Sequence, residues 1–293
     1  MQPNTLKWVY LVVLSLIWGS SFILIKKSLI GLTDFQVGAL RIVLTTLFLV
    51  PVGVKSLRQI KKTHWKYIAI SGFISSFFPP FLFAIAQTRI DSGVASIINS
   101  IVPINTLLLG VLIFRIKSTP KQLVGILIGL AGTVWLIYSG KSFQNNSQNL
   151  YGLLVVLATL GYALNVNLIK KYLPRVSPLA VTTGSFVCII VPAILVLWLS
   201  GFFKTVFITP TMWQAVGYVA LLALLGTAFA KVLFNKLILV ASPVFASSVT
   251  YTMPIVAVLL GWVDGEKFSA WQILAAITIL VGVYLTHKKR LKN

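Results

Sequence analysis

Ten long stretches of this chain carry no charged residue: 8–25, 42–54, 67–88, 92–114, 122–140, 142–169, 176–203, 205–230, 237–263 and 268–286. Most supply the roughly 20 apolar residues that carry a helix across a bilayer. They are too long and too uniformly apolar for barrel strands, and a helix satisfies its own backbone where lipid cannot. The pattern predicts ten helices, near 7–26, 35–54, 65–88, 92–114, 120–139, 149–170, 178–200, 212–236, 240–263 and 269–287. The second includes Arg41, and no connection holds a domain.

The polar punctuation inside these stretches repeats. Leu24-Ile25-Lys26-Lys27 closes the first and Leu168-Ile169-Lys170-Lys171 the sixth. Ser96, Asn99, Pro103 and Gly110 recur at the same spacing as Ser247, Thr250, Pro254 and Gly261. Gln122 and Gly132 recur as Gln272 and Gly282. The Ser-, Asn- and Gln-rich run from Ser139 to Gln148 is the natural joint, dividing a unit at 1–141 from one at 149–293. Five spans per unit force the second unit into the membrane upside down. The predicted fold is therefore all-α and integral to the membrane: ten transmembrane helices as two inverted five-helix repeats. Such repeats suit alternating access to a site at the bilayer midplane.

Composition agrees. Of 293 residues, 58% are hydrophobic and only 10% charged, against roughly 25% charged in soluble domains. The first stretch lacks a small-residue cleavage site and its closing motif recurs mid-chain, so it reads as a mature helix rather than a signal peptide. The single Cys188 excludes an intrachain disulfide and a multi-cysteine metal site. The net charge of +21 is a matter of topology. With a cytoplasmic N-terminus, 18 of the 25 Lys and Arg fall on the inner side, six on the outer side, and Arg41 inside a span. Capture of a nucleic acid needs a contiguous basic face on a soluble surface, which this distribution does not give. The partners implied are a lipid bilayer and a small-molecule substrate, and nothing in the pattern specifies an oligomeric state. The basic run 55–66 faces anionic lipid, and Trp8, Trp65, Trp213 and Trp271 sit at helix starts as interfacial anchors.

Polar residues within spans are costly and turn toward the bundle interior or a wet cavity. Ser92, Ser96, Asn99, Pro103 and Thr106 share one face of the fourth helix, and Pro243, Ser247, Thr250 and Pro254 share the matching face of the ninth. With the Lys-Lys pairs as register, Ser15, Trp18 and Ser21 align with Thr159, Tyr162 and Asn165. Pro103 and Pro254 each free a carbonyl near mid-membrane. The candidate substrate-binding set is Ser15, Trp18, Ser96, Asn99, Pro103, Tyr162, Asn165, Lys231, Ser247, Thr250 and Pro254. For single Ser and Thr residues the competing role is helix-to-helix hydrogen bonding. The large side chains Asn99, Tyr162 and Asn165 point more strongly to a shared cavity. Gln87 is a weaker candidate, and Met212, Met253 and the Phe residues read as packing. Lys231 admits two readings, snorkelling beside Lys236 or facing the cavity. Arg41 reads as snorkelling to the outer surface. Asp34, Asp91, Asp264 and Glu266 all fall near outer helix ends, and His64 and His287 at inner ones. A metal, a cofactor and a buried carboxylate relay therefore have no place in the core.

Trp18-Gly19 followed by Phe22 and Lys26, then Arg41 in the second helix, resembles the opening of EamA-type members of the drug/metabolite transporter superfamily. The run Ala246 to Pro254, followed by Gly265-Glu266, Gln272 and Gly282, resembles their closing signature. The resemblance covers essentially the whole chain, with one departure: the first half has Phe114-Arg115 where the second has Gly265-Glu266. It implies an inner-membrane carrier with both termini cytoplasmic. It also implies export or exchange of amino acids, other metabolites or drugs. The central cavity would lie among helices one, three, four, six, eight and nine, with five and ten outside. The expectation is a secondary transporter, an exporter or exchanger of small organic metabolites such as amino acids, working by alternating access. The alternatives are an integral-membrane enzyme or a channel. If Lys231 faces the cavity, a substrate carboxylate would be its partner, favouring exchange or facilitated diffusion over obligate proton antiport.

Overall fold

The computed structural model describes residues 3–115, 119–139, 146–205, 209–247 and 249–287. All regular structure among them is helical. The rods are α1 (Pro3–Ser28), α2 (Asp34–Leu57), α3 (Lys62–Gln87), α4 (Ser92–Leu112) and α5 (Pro120–Ser139), then α6 (Asn146–Tyr172), α7 (Pro178–Leu199), α8 (Pro210–Val240), α9 (Pro243–Val263) and α10 (Ala270–His287). A single turn, Phe202–Thr205, lies between α7 and α8. Eight rods are long and apolar enough to cross a membrane. The apolar cores within α5 and α10, Leu123–Leu136 and Ala270–Gly282, are shorter.

Local chemistry sets the helix starts. Thr33 and Gln36 exchange side-chain bonds with each other's backbone N–H at the start of α2, which satisfies two donors that the helix leaves free. Ser269 and Gln272 do the same at α10, which gives the repeated Gln a structural purpose. Ser177 and Thr209 cap α7 and α8, and each is followed by a Pro, whose missing N–H is harmless in the first turn.

Polarity is turned inside out relative to a soluble domain. Val191, Trp262 and Val263 are 72%, 71% and 82% exposed, while Ser96, Thr159 and Thr183 are wholly buried. A continuous apolar exterior of this kind calls for lipid.

Side-chain contacts fix the packing. α1 lies along α9 in the same direction. Trp8 meets Phe245 edge-on near their starts, and Lys26 meets Glu266 just beyond the end of α9. α4 lies along α6 in the same way, with Asn105 donating to Thr159 at 2.8 Å and Lys171 over the Phe114 ring. α2 packs on α7, and α5 on α10. The α5–α10 backbones touch, because a Cβ on Gly282 would collide with the main chain of Gly129.

Candidate functional site

Two irregular segments shape the interior. α3 widens to a π-helix over Phe73–Phe77, and α8 over Leu222–Phe229. In α3 the cause is visible in sequence. Pro79 and Pro80 have no N–H, so the carbonyls of Ser75 and Ser76 lose their usual donors four residues on. The Ser75 carbonyl instead accepts Lys231 Nζ at 2.9 Å. The same ammonium donates to Ser75 Oγ at 2.8 Å and Ser76 Oγ at 2.7 Å. Ser75 Oγ is itself a donor, to the Ser71 carbonyl, so it meets Lys231 as an acceptor. All three N–H bonds of the lysine are spent. In α8 the Ala230 N–H reaches the Leu225 and Thr227 carbonyls, and the Gly226 carbonyl takes the Trp18 indole N–H at 2.8 Å. Each π segment thus hands a main-chain oxygen to a side chain from another helix, the kind of local adjustment expected at functional sites.

Between these segments lies a cavity of about 90 Å³. Arg41, Ser75, Ser76, Thr227 and Lys231 give it a polar side. Phe22, Ile25, Phe83, Val102, Phe234 and Met253 give it an apolar one. Trp18 meets Phe234 edge-on at 4.9 Å, and Tyr162 stacks beside Phe83 at 6.2 Å. Arg41 Nε donates to Thr227 Oγ at 2.8 Å, and that hydroxyl passes its own proton to the Leu222 carbonyl. Asn165 Oδ1 accepts from Ser71 Oγ at 2.5 Å. Asn99 is 2% exposed, its Oδ1 has no partner, and its Nδ2 reaches only the Met253 sulfur at 4.0 Å. An unmade bond on a buried amide costs about 1–3 kcal/mol, and this acceptor lines the cavity.

Of the residues expected from sequence, Trp18, Asn99, Tyr162, Asn165, Lys231 and Thr250 line this one cavity. The other five do not. Ser15 donates to the Leu11 carbonyl and touches Thr252, joining α1 to α9. Ser96 and Ser247 donate to carbonyls three residues back in their own helices. All three hydroxyls are satisfied on backbone, and of them Ser15 also links two helices. Pro103 breaks α4 between Asn99 and Val102 and presents Val102 to the cavity rather than itself. Pro254 sits inside the helical segment Val249–Val263, with Met253 facing the cavity in its place.

Of the two readings of Lys231 the structure takes the cavity-facing one: Lys236 is exposed, while the freed Ser75 carbonyl and two hydroxyls hold Lys231 inside. Two expectations need correcting. Arg41 does not reach the outer surface, because Thr227 on the π segment of α8 offers a polar partner in the interior. Met253 and Phe22, Phe83 and Phe234 are cavity wall as well as packing. Ser75, Ser76 and Thr227 were legible only through Pro79-Pro80 and through Arg41 itself, a basic residue placed inside a span. Gln87 is buried without a side-chain partner but lies outside the cavity.

The acidic residues gather elsewhere. At the end of the bundle where α1 stops, Glu266 Oε1 accepts Lys26 Nζ at 3.0 Å, Ser92 N at 3.0 Å and Ser92 Oγ at 2.6 Å, and Oε2 accepts Gly93 N at 3.1 Å. The carboxylate thereby sits on the positive N-terminus of α4. Asp264 pairs with Lys26 and Lys27, and their hydrogen bonds hold its carboxyl below the usual range. Burial beside Glu266 pushes Asp91 up. The repeat counterpart of Lys26 behaves differently. Lys170 donates to the carbonyls of Ile238, Leu239 and Ala241 at the end of α8. Arg115 stands where a second Glu would be, and Lys170 caps the end of α8 there.

The sequence profile of the EamA-like transporter family matches this architecture twice, over residues 6–138 and 149–287. An uncharacterized transporter of Archaeoglobus fulgidus is 25% identical over 286 residues, 97% of this chain and 99% of that protein. An uncharacterized inner membrane transporter of Escherichia coli K12, YedA, is 32% identical over 202 residues, 67% of this chain and 62% of its own length. One solved crystal structure superposes with a TM-score of 0.66 at 19% identity over 94% of both chains, a likeness of fold.

Proposed function

The chain belongs to the EamA-like transporter family, and on that premise we propose that it is a secondary transporter, an exporter or exchanger of small organic metabolites, working by alternating access. The observation that carries this reading is the cavity itself. It lies among α1, α2, α3, α4, α6, α8 and α9, and it holds a buried amide, Asn99, with an unmade hydrogen bond. We read the halves 1–141 and 149–293 as inverted repeats of five spans each, with both termini cytoplasmic. Support comes from packing. The last turn of α1 meets the first turn of α4 through Glu266, so those rods run oppositely. α4 runs with α6, so α1 and its counterpart α6 are opposed. The helix pairs also exchange: α1 takes α9 as α6 takes α4, while α2–α7 and α5–α10 pair with their own counterparts. Two such groups can rock about the cavity and open it to either side in turn.

The test is reconstitution. Purified protein in liposomes should give saturable uptake that rises when the same solute is loaded on the far side, a behaviour that neither an enzyme nor a channel reproduces. Asn99→Leu and Asn165→Leu should each abolish that flux while inserting normally. Normal flux in both would reduce the polar faces to helix glue. For the topology, cysteines placed at Asn146 and Lys62 should react with an impermeant reagent from opposite sides of the membrane. Reaction from one side alone would sink the inverted arrangement.

A further inference from the structure

We propose that the cavity selects a small organic carboxylate with an apolar body and no ammonium group, its carboxylate held by the guanidinium of Arg41. This deepens the transporter reading and rests on it only for the movement of the solute, not for its binding.

The first ground is charge. Two cations, Arg41 and Lys231, face one cavity. The chain has four acidic residues in all, and Asp34, Asp91, Asp264 and Glu266 all lie outside it. A zwitterion would bring its own cation toward two fixed ones with no carboxylate to receive it. In a low-dielectric site that repulsion is far larger than in water. A plain anion meets only attraction.

The second ground is the donor inventory. Lys231 has given its three N–H bonds to Ser75 and Ser76, so it supplies charge but no free donor. Among the described residues Arg41 engages only through Nε, on Thr227. Its four remaining N–H bonds form the fork that suits a carboxylate. The third ground is shape. Phe22, Phe83, Phe234 and Met253 line the cavity with apolar surface for a hydrocarbon body. Asn99 Oδ1 is a free neutral acceptor. It can take a hydroxyl, but one amide oxygen does not offset two cations for an ammonium.

A matched set separates the cases: 2-hydroxy-4-methylpentanoate, leucine and 3-methylbutylamine share one branched body and differ in charge. Titration calorimetry on the full-length purified protein should give the hydroxy acid at least tenfold tighter than leucine, with no binding of the amine. Arg41→Gln should weaken the hydroxy acid tenfold or more and bring it level with leucine. Leucine binding as tightly as the hydroxy acid, or no binding of the hydroxy acid, overturns the inference. So does unchanged affinity in a folded Arg41→Gln variant. The wild-type ranking needs no variant, so a misfolded substitution leaves the question decided. Counterflow in liposomes separates the two readings. Hydroxy-acid binding without counterflow defeats transport and leaves the anion site standing. Counterflow that favours leucine leaves transport standing and defeats the anion site.

Discussion

Lys231→Met should lower exchange in reconstituted vesicles at least a hundredfold, with the protein still inserted and folded. A hundredfold is about 2.7 kcal/mol of lost stabilisation. Two opposing terms decide why flux should fail while folding survives. The substitution strands the Ser75 carbonyl and the Ser76 hydroxyl, while Ser75 Oγ keeps its bond to the Ser71 carbonyl, at about 1–3 kcal/mol for each group left unsatisfied. It also removes an ammonium from low dielectric, which relieves a penalty of several kcal/mol. Stability should therefore change little, whereas the cavity loses one of its two charges outright. The reciprocal change behaves differently. Ser75→Ala with Ser76→Ala leaves the ammonium only one carbonyl, so that protein should be markedly less stable. Adding Lys231→Met to it should restore stability and leave flux at zero. Wild-type exchange in Lys231→Met would make the lysine a structural tether between α8 and α3.

The scaffold was legible because lipid imposes one rule throughout. Long charge-free runs had to be helices, and each run is largely helical over its described residues, although 176–203, 205–230 and 237–263 pass through helix ends into the connections at 200–201, 209 and 241–242. The polar periodicity in α4 and α6 placed Asn99, Tyr162 and Asn165 on one cavity for the same reason: large polar groups avoid lipid. What sequence periodicity could not reveal was how the small hydroxyls are satisfied. Ser15, Ser96 and Ser247 share helix faces with true cavity residues, yet a carbonyl within one helical turn absorbs each of them. A stepping rule cannot tell a hydroxyl turned back onto its own helix from one turned outward. The interior place of Arg41, and the choice between the two readings of Lys231, were not legible for a related reason. Snorkelling is the default for a cation when no interior acceptor is known. Here the acceptors are Thr227 on the π segment of α8 and, on that of α3, the Ser75 and Ser76 hydroxyls with the Ser75 carbonyl that Pro79 leaves without its usual donor.

The end of the bundle where α1 stops should open when Glu266 loses its charge. On a Cys188→Ala background, a cysteine at cavity-lining Ser21 should react with an impermeant thiol reagent at least tenfold faster once Glu266→Gln is added. Glu266 draws together α1 through Lys26, α4 through Ser92 and Gly93, and the connection after α9 on which it sits. Its side chain is 1% exposed, so its bonds meet little competition from water. Hydrogen bonds to a charged group are worth about 1.5–3 kcal/mol, against about 0.5–1.5 for neutral ones. The amide keeps one acceptor for Ser92 but either loses Gly93 or sets its NH₂ against that N–H. A loss of about 1.4–3 kcal/mol shifts an open–closed equilibrium by roughly tenfold to more than a hundredfold, since about 1.4 kcal/mol is one decade. Asp264→Asn should do much less, because its pairs with Lys26 and Lys27 lie nearer the surface and are screened. Its carboxyl titrates below the ordinary value near 3.8, so its contribution is complete above that pH and is lost only as pH falls through the lowered value. Acidifying to pH 5 should leave labelling unchanged on its account. Lys170→Met, at the other end, removes only bonds to neutral carbonyls at the end of α8 and should leave labelling from the Glu266 side unchanged. Equal labelling with Glu and Gln at position 266 would mean that the ion cluster fastens helix ends without governing access to the cavity.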